Sequence, residues 1–149
     1  MSKGNASQTY LERQSVRNTG EDLFLEWASR KGYKVHRLGF DEKGGNVDNF
    51  YELNFYLRNI PDFVITKNDK IAVVNVKGTP NMKWKEVSML PNLMEIYSEK
   101  NAPLFYAFCF TGENPIFKRA ETVIELWSRA TDKTWHDGVV YRRLNLEEN

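Results

Sequence analysis

The stretch from Pro61 to Gly78 constrains this chain more than any other. Two runs rich in β-branched residues, Asp62-Phe63-Val64-Ile65-Thr66 and Ile71-Ala72-Val73-Val74-Asn75-Val76-Lys77, flank the pair Asn68-Asp69. Asn and Asp favour turns because they tolerate left-handed backbone angles and hydrogen-bond their own neighbours. The pattern predicts a β-hairpin whose second strand is long and largely buried. Such a hairpin sets Asp62, at the start of one strand, beside the end of its partner. Asn75 and Lys77 are two residues apart, so they project from one face. An acid, an amide and an amine then converge at one end of the hairpin. A lysine on an otherwise apolar face needs a partner or a task. One reading is a buried ion pair of Lys77 with Asp62, of a kind whose net stabilisation is often poor.

The flanking segments predict alternating helices and strands. Asn18 or Thr19 can cap a helix beginning near Gly20-Glu21-Asp22, where acidic residues suit the helix dipole. Leu23, Phe24, Trp27 and Ala28 make its apolar face, and Gly32 ends it. Tyr33 to Leu38 alternates as a half-buried strand does, and residues 39–49 read as a loop. Phe50 to Leu57 fits a strand or a helical turn equally well, and it is the candidate for a dimer face. A second helix is expected from about Lys83 to Lys100, and Leu104 to Phe110 reads as a central strand covered on both faces. A third helix is expected over Lys118 to Ala130, and a final strand over Gly138 to Arg143. This order describes an α/β sandwich around a mixed sheet. Residues 1–14 are expected to form a flexible N-terminal segment, and 15–149 a single domain.

Composition removes several classes. At 149 residues, with 41% apolar and 28% charged residues, the chain can bury a core without disulfides or a structural metal. The lone cysteine, Cys109, lies in an apolar run and reads as packing in a reducing compartment. His36 and His136 are too isolated to suggest zinc. The polar N-terminus and the lack of long apolar runs predict a cytoplasmic protein with no membrane segment. A net charge of +1 leaves nucleic acid open, because DNA binding needs a local basic face.

The arrangement resembles the PD-(D/E)xK nuclease superfamily, the restriction-endonuclease-like α/β/α fold with a central mixed sheet. Closest in pattern is its archaeal Holliday-junction-resolvase branch, which carries a helix glutamate, Gly-aromatic-x-Val-x-Arg, an Asp and Glu-x-Lys. Here Glu21 lies eleven residues before Gly32-Tyr33-Lys34-Val35-His36-Arg37, and Asp62 lies thirteen before Asn75-Val76-Lys77. The match covers about residues 15 to 80, with a longer insertion between Arg37 and Asp62. The resemblance implies a Mg²⁺- or Mn²⁺-dependent endonuclease acting on duplex or branched DNA as a homodimer. Asp62, Asn75 and Glu21 would hold the metal, and Lys77 would be the catalytic lysine.

The chain departs from that pattern at Asn75, where the family has an acid. An amide oxygen can meet Mg²⁺ but brings no charge, so metal affinity should fall. Three explanations stand side by side. Glu21, or a displaced acid such as Glu86, completes the charge; the asparagine was engineered to trap an inactive enzyme; or the chain is a natural non-catalytic descendant that binds DNA or a protein.

Plainer readings accompany each candidate. Glu21 can serve the helix dipole alone, and Glu26 a solvated face. Glu86 can pair with Lys83 or Lys85 at the surface. Lys83-Trp84-Lys85 can grip a nucleic-acid backbone and stack a base, or simply begin a helix with one buried ring. Arg37, Lys118, Arg119, Arg142 and Arg143 can form a phosphate-contacting rim or stand as solvated charges. Asp132 to Asp137 reads as a surface loop.

Overall fold

The computed structural model describes residues 10–38, 59–98 and 102–148, with side chains from residue 19 onward. The expected loop at 39–49, the ambiguous segment Phe50 to Leu57 and the end of the second helix at Lys100 lie outside the described residues.

Helix α1 runs from Tyr10 to Arg30, so it begins eight or nine residues before the cap expected at Asn18 or Thr19. Gly20 therefore sits inside the helix, although glycine there costs about 1 kcal/mol relative to alanine. The reason is tertiary. A Cβ on Gly20 would stand 3.0 Å from Gly78 Cα and 3.1 Å from its nitrogen. Only a bare backbone lets α1 cross the end of the hairpin this closely. The C-terminus follows expectation. Gly32 has φ +82, Tyr33 N–H donates to Ala28 O and Gly32 N–H to Ser29 O. That double bond satisfies two carbonyls at the helix end.

The main sheet has the order β1 (Lys34–Arg37), β2 (Phe63–Lys67), β3 (Lys70–Lys77), β5 (Leu104–Phe108), β6 (Ile116–Arg119) among the described residues. β1, β2 and β3 are antiparallel neighbours, β3 and β5 are parallel, and β6 returns antiparallel to β5. Asn68 and Asp69 hold φ 52° and 65°, the pair of left-handed angles that a two-residue hairpin of this hand requires. β3 connects to β5 through β4 (Asn81–Met82), α2 (Trp84–Ser88) and α3 (Leu90–Ser98).

The expected single helix over residues 83–100 is thus broken at Met89. Pro91 supplies the cause: it has no N–H for the preceding turn, and its ring crowds Leu90. The third helix, α4, runs from Ala120 to Arg129. The residues just before it, expected to open that helix, form edge strand β6 instead, because Ile116–Arg119 pairs with Phe105–Phe108.

Alternation along the strands sorts two cores. Phe24 of α1 packs with Phe63, Ile65, Val74, Val76 and Ala107 on one face. Val73, Tyr106 and Phe108 pack with Leu90, Leu93, Val123 and Leu126 of α3 and α4 on the other. The result is an α/β/α sandwich. Beside it β4, β8 (Val140–Arg143) and β7 (Asp132–Thr134) make a small antiparallel sheet. The expected surface loop at 132–137 is therefore corrected. Asp132–Thr134 is a strand, and Trp135 is buried, stacked 4.1 Å from Tyr141. Such a short, polar strand carries no periodicity of its own, and pairing with β8 makes it.

Gly20→Val would drive branched carbons into the Gly78 backbone. It is expected to destabilise the fold by about 1–3 kcal/mol, seen as a lowered urea midpoint at unchanged slope.

Candidate functional site

The open end of the β2–β3 hairpin gathers the polar side chains of interest. In the register that pairs Phe63 with Val74, Asp62 falls opposite Asn75. Three backbone contacts pin this aspartate. Its N–H donates to Asn75 Oδ1 at 3.2 Å, Val76 N–H donates to its Oδ2 at 2.9 Å, and Leu38 N–H donates to its carbonyl at 2.9 Å. Asp62 is half-buried, as are Asn75 and Lys77. Val73 belongs to the face packed on α3 and α4, so Asn75 and Lys77, at even spacing from it, share that face.

Parallel pairing with β5 places Tyr106 beside Asn75. Tyr106 is 2% exposed. Burial drives its phenol far above the ordinary value, and the charges of Glu86 and Asp62 push the same way. Only a hydrogen bond with the Asn75 side chain opposes them. Both carboxylates thus lie within electrostatic reach of one buried phenol.

Lys77 does not pair with Asp62. Its Nζ lies 2.8 Å from Glu86 Oε2, and Glu86 Oε1 accepts from Lys83 N–H at 3.0 Å. Glu86 is the third residue of α2, so the same side chain closes the first turn of that helix. Its expected partners at the surface, Lys83 and Lys85, are replaced by the lysine at the hairpin end. Burial alone would raise the Glu86 carboxyl. The ammonium of Lys77, the hydrogen bond from it, Lys83 N–H and the Lys83 charge outweigh that and hold it below the ordinary value.

Glu21 takes a different position. It is 7% exposed on α1, and its Oε1 lies 3.0 Å from Arg37 Nη1. The Arg37 guanidinium stands 4.8 Å over the Phe63 ring. Phe63 belongs to the α1-facing core, so the Glu21–Arg37 pair flanks the hairpin end on the side opposite Asn75. Among the described residues no three Asp, Glu, His or Cys side chains gather closely enough to hold a metal.

Downstream, Lys83 is half-buried and Lys85 exposed, while Trp84 is 63% exposed, not the buried ring that a plain helix start would give. Cys109 is buried, which pushes its thiol up to about 12 and fits the packing role read from sequence. No helix among the described residues is long and apolar enough to cross a membrane.

The architecture matches a solved structure. Over 86% of this chain and 88% of the other, it superposes with a TM-score of 0.50 on Archaeoglobus fulgidus Hjc, a Holliday junction resolvase from an archaeal hyperthermophile. This chain has the restriction-endonuclease-like fold. Sequence identity to that resolvase is 13%, so the likeness is one of fold. No family model matches the chain, and no curated protein matches it in sequence.

Glu86→Gln removes the charge that Lys77 faces. At neutral pH it is expected to cost roughly 1–3 kcal/mol, the scale of leaving a buried polar partner unsatisfied. The folded carboxyl lies below its ordinary value of 4.5. Its contribution is therefore fully present above that pH and lost as pH falls through the lower, folded value. Denaturation curves of the two proteins should differ most near neutrality and converge in acid.

Proposed function

We propose that this chain is a divalent-cation-dependent nuclease acting on DNA phosphodiesters. The observation that carries the reading is Asp62 pinned by Asn75 and Val76 N–H at the open end of the hairpin, with Lys77 of the same strand end paired to Glu86, in a nuclease-type fold. The donor set is all oxygen: two carboxylates and an amide carbonyl. That chemistry fits Mg²⁺ or Mn²⁺ and disfavours zinc. With one acid fewer than a three-carboxylate site, the cation would be held weakly. Asp62 and Glu86 would hold it, with Asn75 adding a neutral oxygen, and once bound it would supply Lewis-acid charge and lower the pKa of a coordinated water.

The remaining work falls to the chain itself. Lys77 orients the attacking water or offsets charge on the phosphate. The hydrogen bonds from Val76 N–H and to Asn75 hold Asp62 in one pose, which spares reorganisation during the reaction. Arg37, half-neutralised by Glu21 and 40% exposed, is placed to contact a phosphate on the flank. DNA is the expected partner. A homodimer is the expected assembly for cutting two strands, because two-fold symmetry presents two such ends.

In this reading the carboxylate missing at position 75 is provided by Glu86 from α2. With labelled duplex, single-stranded and branched DNA in Mg²⁺ or Mn²⁺, Asp62→Ala is expected to slow cutting on the order of a hundredfold or more. Equal cutting by both proteins would end the assignment. Glu86→Gln should lose activity to a similar degree, and adding Asn75→Glu to it should restore a large part.

A second reading is a nuclease fold kept for binding without turnover. The neutral Asn75, and the absence of a three-acid cluster among the described residues, favour it. Calorimetry with Mn²⁺ separates the two. Tight DNA binding with no heat from millimolar metal supports the binding module.

A further inference from the structure

Trp84 is an indole held in place yet left out of the core. It lies at the first position of α2, two residues before Glu86, and 63% of its surface is open. Its inner side packs on Trp127, ring centroids 5.3 Å apart. Trp127 is fixed in turn: its Nε1–H donates to Met82 O at 3.0 Å, and the Arg142 guanidinium lies 3.9 Å over its ring. Arg142 is clamped by Asp132 Oδ1 at 2.8 Å and by Trp127 O at 3.1 Å. A column of contacts therefore runs from the small sheet through α4 to Trp84, with the two indoles tilted by 39°. The small sheet, of which the sequence pattern showed only the strand at Gly138 to Arg143, is the base of this column.

We infer that Trp84 is a stacking platform for an unpaired nucleobase, so that the chain selects DNA with an unstacked nucleotide beside the phosphate at Lys77. Lys83 and Lys85 flank Trp84 in the sequence, and neither makes a salt bridge among the described residues. Glu86 is engaged by Lys77 and Asp132 by Arg142. Two lysines next to the indole in the sequence suit a phosphate backbone passing over it. A largely exposed indole beside two lysines matches a single strand, where each base has a free π-face. In a continuous duplex both faces of every internal base are covered by neighbours. A base at a gap, overhang or branch point is not, and it alone can settle on Trp84 without the cost of unstacking. The placement beside a cleaving site rests on the nuclease reading, whereas the base preference belongs to binding and stands without it.

Binding is measured by fluorescence anisotropy in EDTA, where no cutting occurs, with labelled duplexes that end in a three-nucleotide thymidine overhang or the same overhang made abasic. The wild-type chain is expected to prefer the base-bearing overhang by about fivefold to a hundredfold, the range found for one stacked base, with quenching of indole fluorescence. Trp84→Ala should erase the preference while leaving affinity for a blunt duplex within about twofold. Trp84→Phe, which keeps a ring, should retain most of it, and Arg142→Ala, which loosens the column, should weaken it. No preference in the wild-type chain, or a preference that survives Trp84→Ala, overturns the inference. So does an equal loss on every DNA, which would mark a general contact. Failure of the nuclease reading shows elsewhere, as cutting in Mg²⁺ that is absent or indifferent to Asp62→Ala.

Discussion

Everything at the candidate site depends on the register between β2 and β3. The turn at Asn68-Asp69 and the pairing of Phe63 with Val74 put Asp62 opposite Asn75. A slip of one residue would turn Asn75 and Lys77 toward α1 and bring Val74 and Val76 to the other face. Two apolar cores make that slip costly, because each face of β3 is already filled by its own set of side chains. The backbone donor of Val76 then finds the Asp62 carboxylate at the place where the ladder ends. The hydrogen bond that would otherwise continue the sheet becomes the clamp on an acid.

Charge balance follows from that placement. β3 delivers Lys77 to a half-buried end of the sheet, where an unmatched ammonium would be disfavoured by loss of water. Two residues before it, where the resembling nucleases have an acid, stands Asn75, whose amide oxygen accepts from Asp62 N–H instead. The counter-charge comes from Glu86, one short helix later, which also closes the first turn of α2. Asn75 and Glu86 are thus two parts of one arrangement. The strand position carries a hydrogen-bonding amide, and the helix position carries the charge.

The close crossing of α1 at Gly20 and Gly78 brings Glu21 to the same end of the sheet but on the opposite side, where Arg37 meets it. The site therefore has two flanks of different character. One is a guanidinium partly neutralised by its glutamate. The other is the basic, aromatic edge of α2, supported by the small sheet.

The sequence alone determined the hairpin, the strand at Leu104, the glycine stop at Gly32 and the sandwich class, because alternation, turn chemistry and apolar runs are local properties of the chain. It also marked Asp62, Asn75 and Lys77 as neighbours, since two strands joined by a tight turn have little freedom in how they align. Tertiary structure decided the rest. The true start of α1, the strand at Ile116, the partner of Lys77 and the exposure of Trp84 each hang on contacts between segments far apart in the chain. A glycine inside a helix, a three-residue polar strand and a glutamate among lysines look unremarkable by themselves. Their meaning comes from what the folded chain sets against them: the Gly78 backbone, strand β8 and a half-buried ammonium.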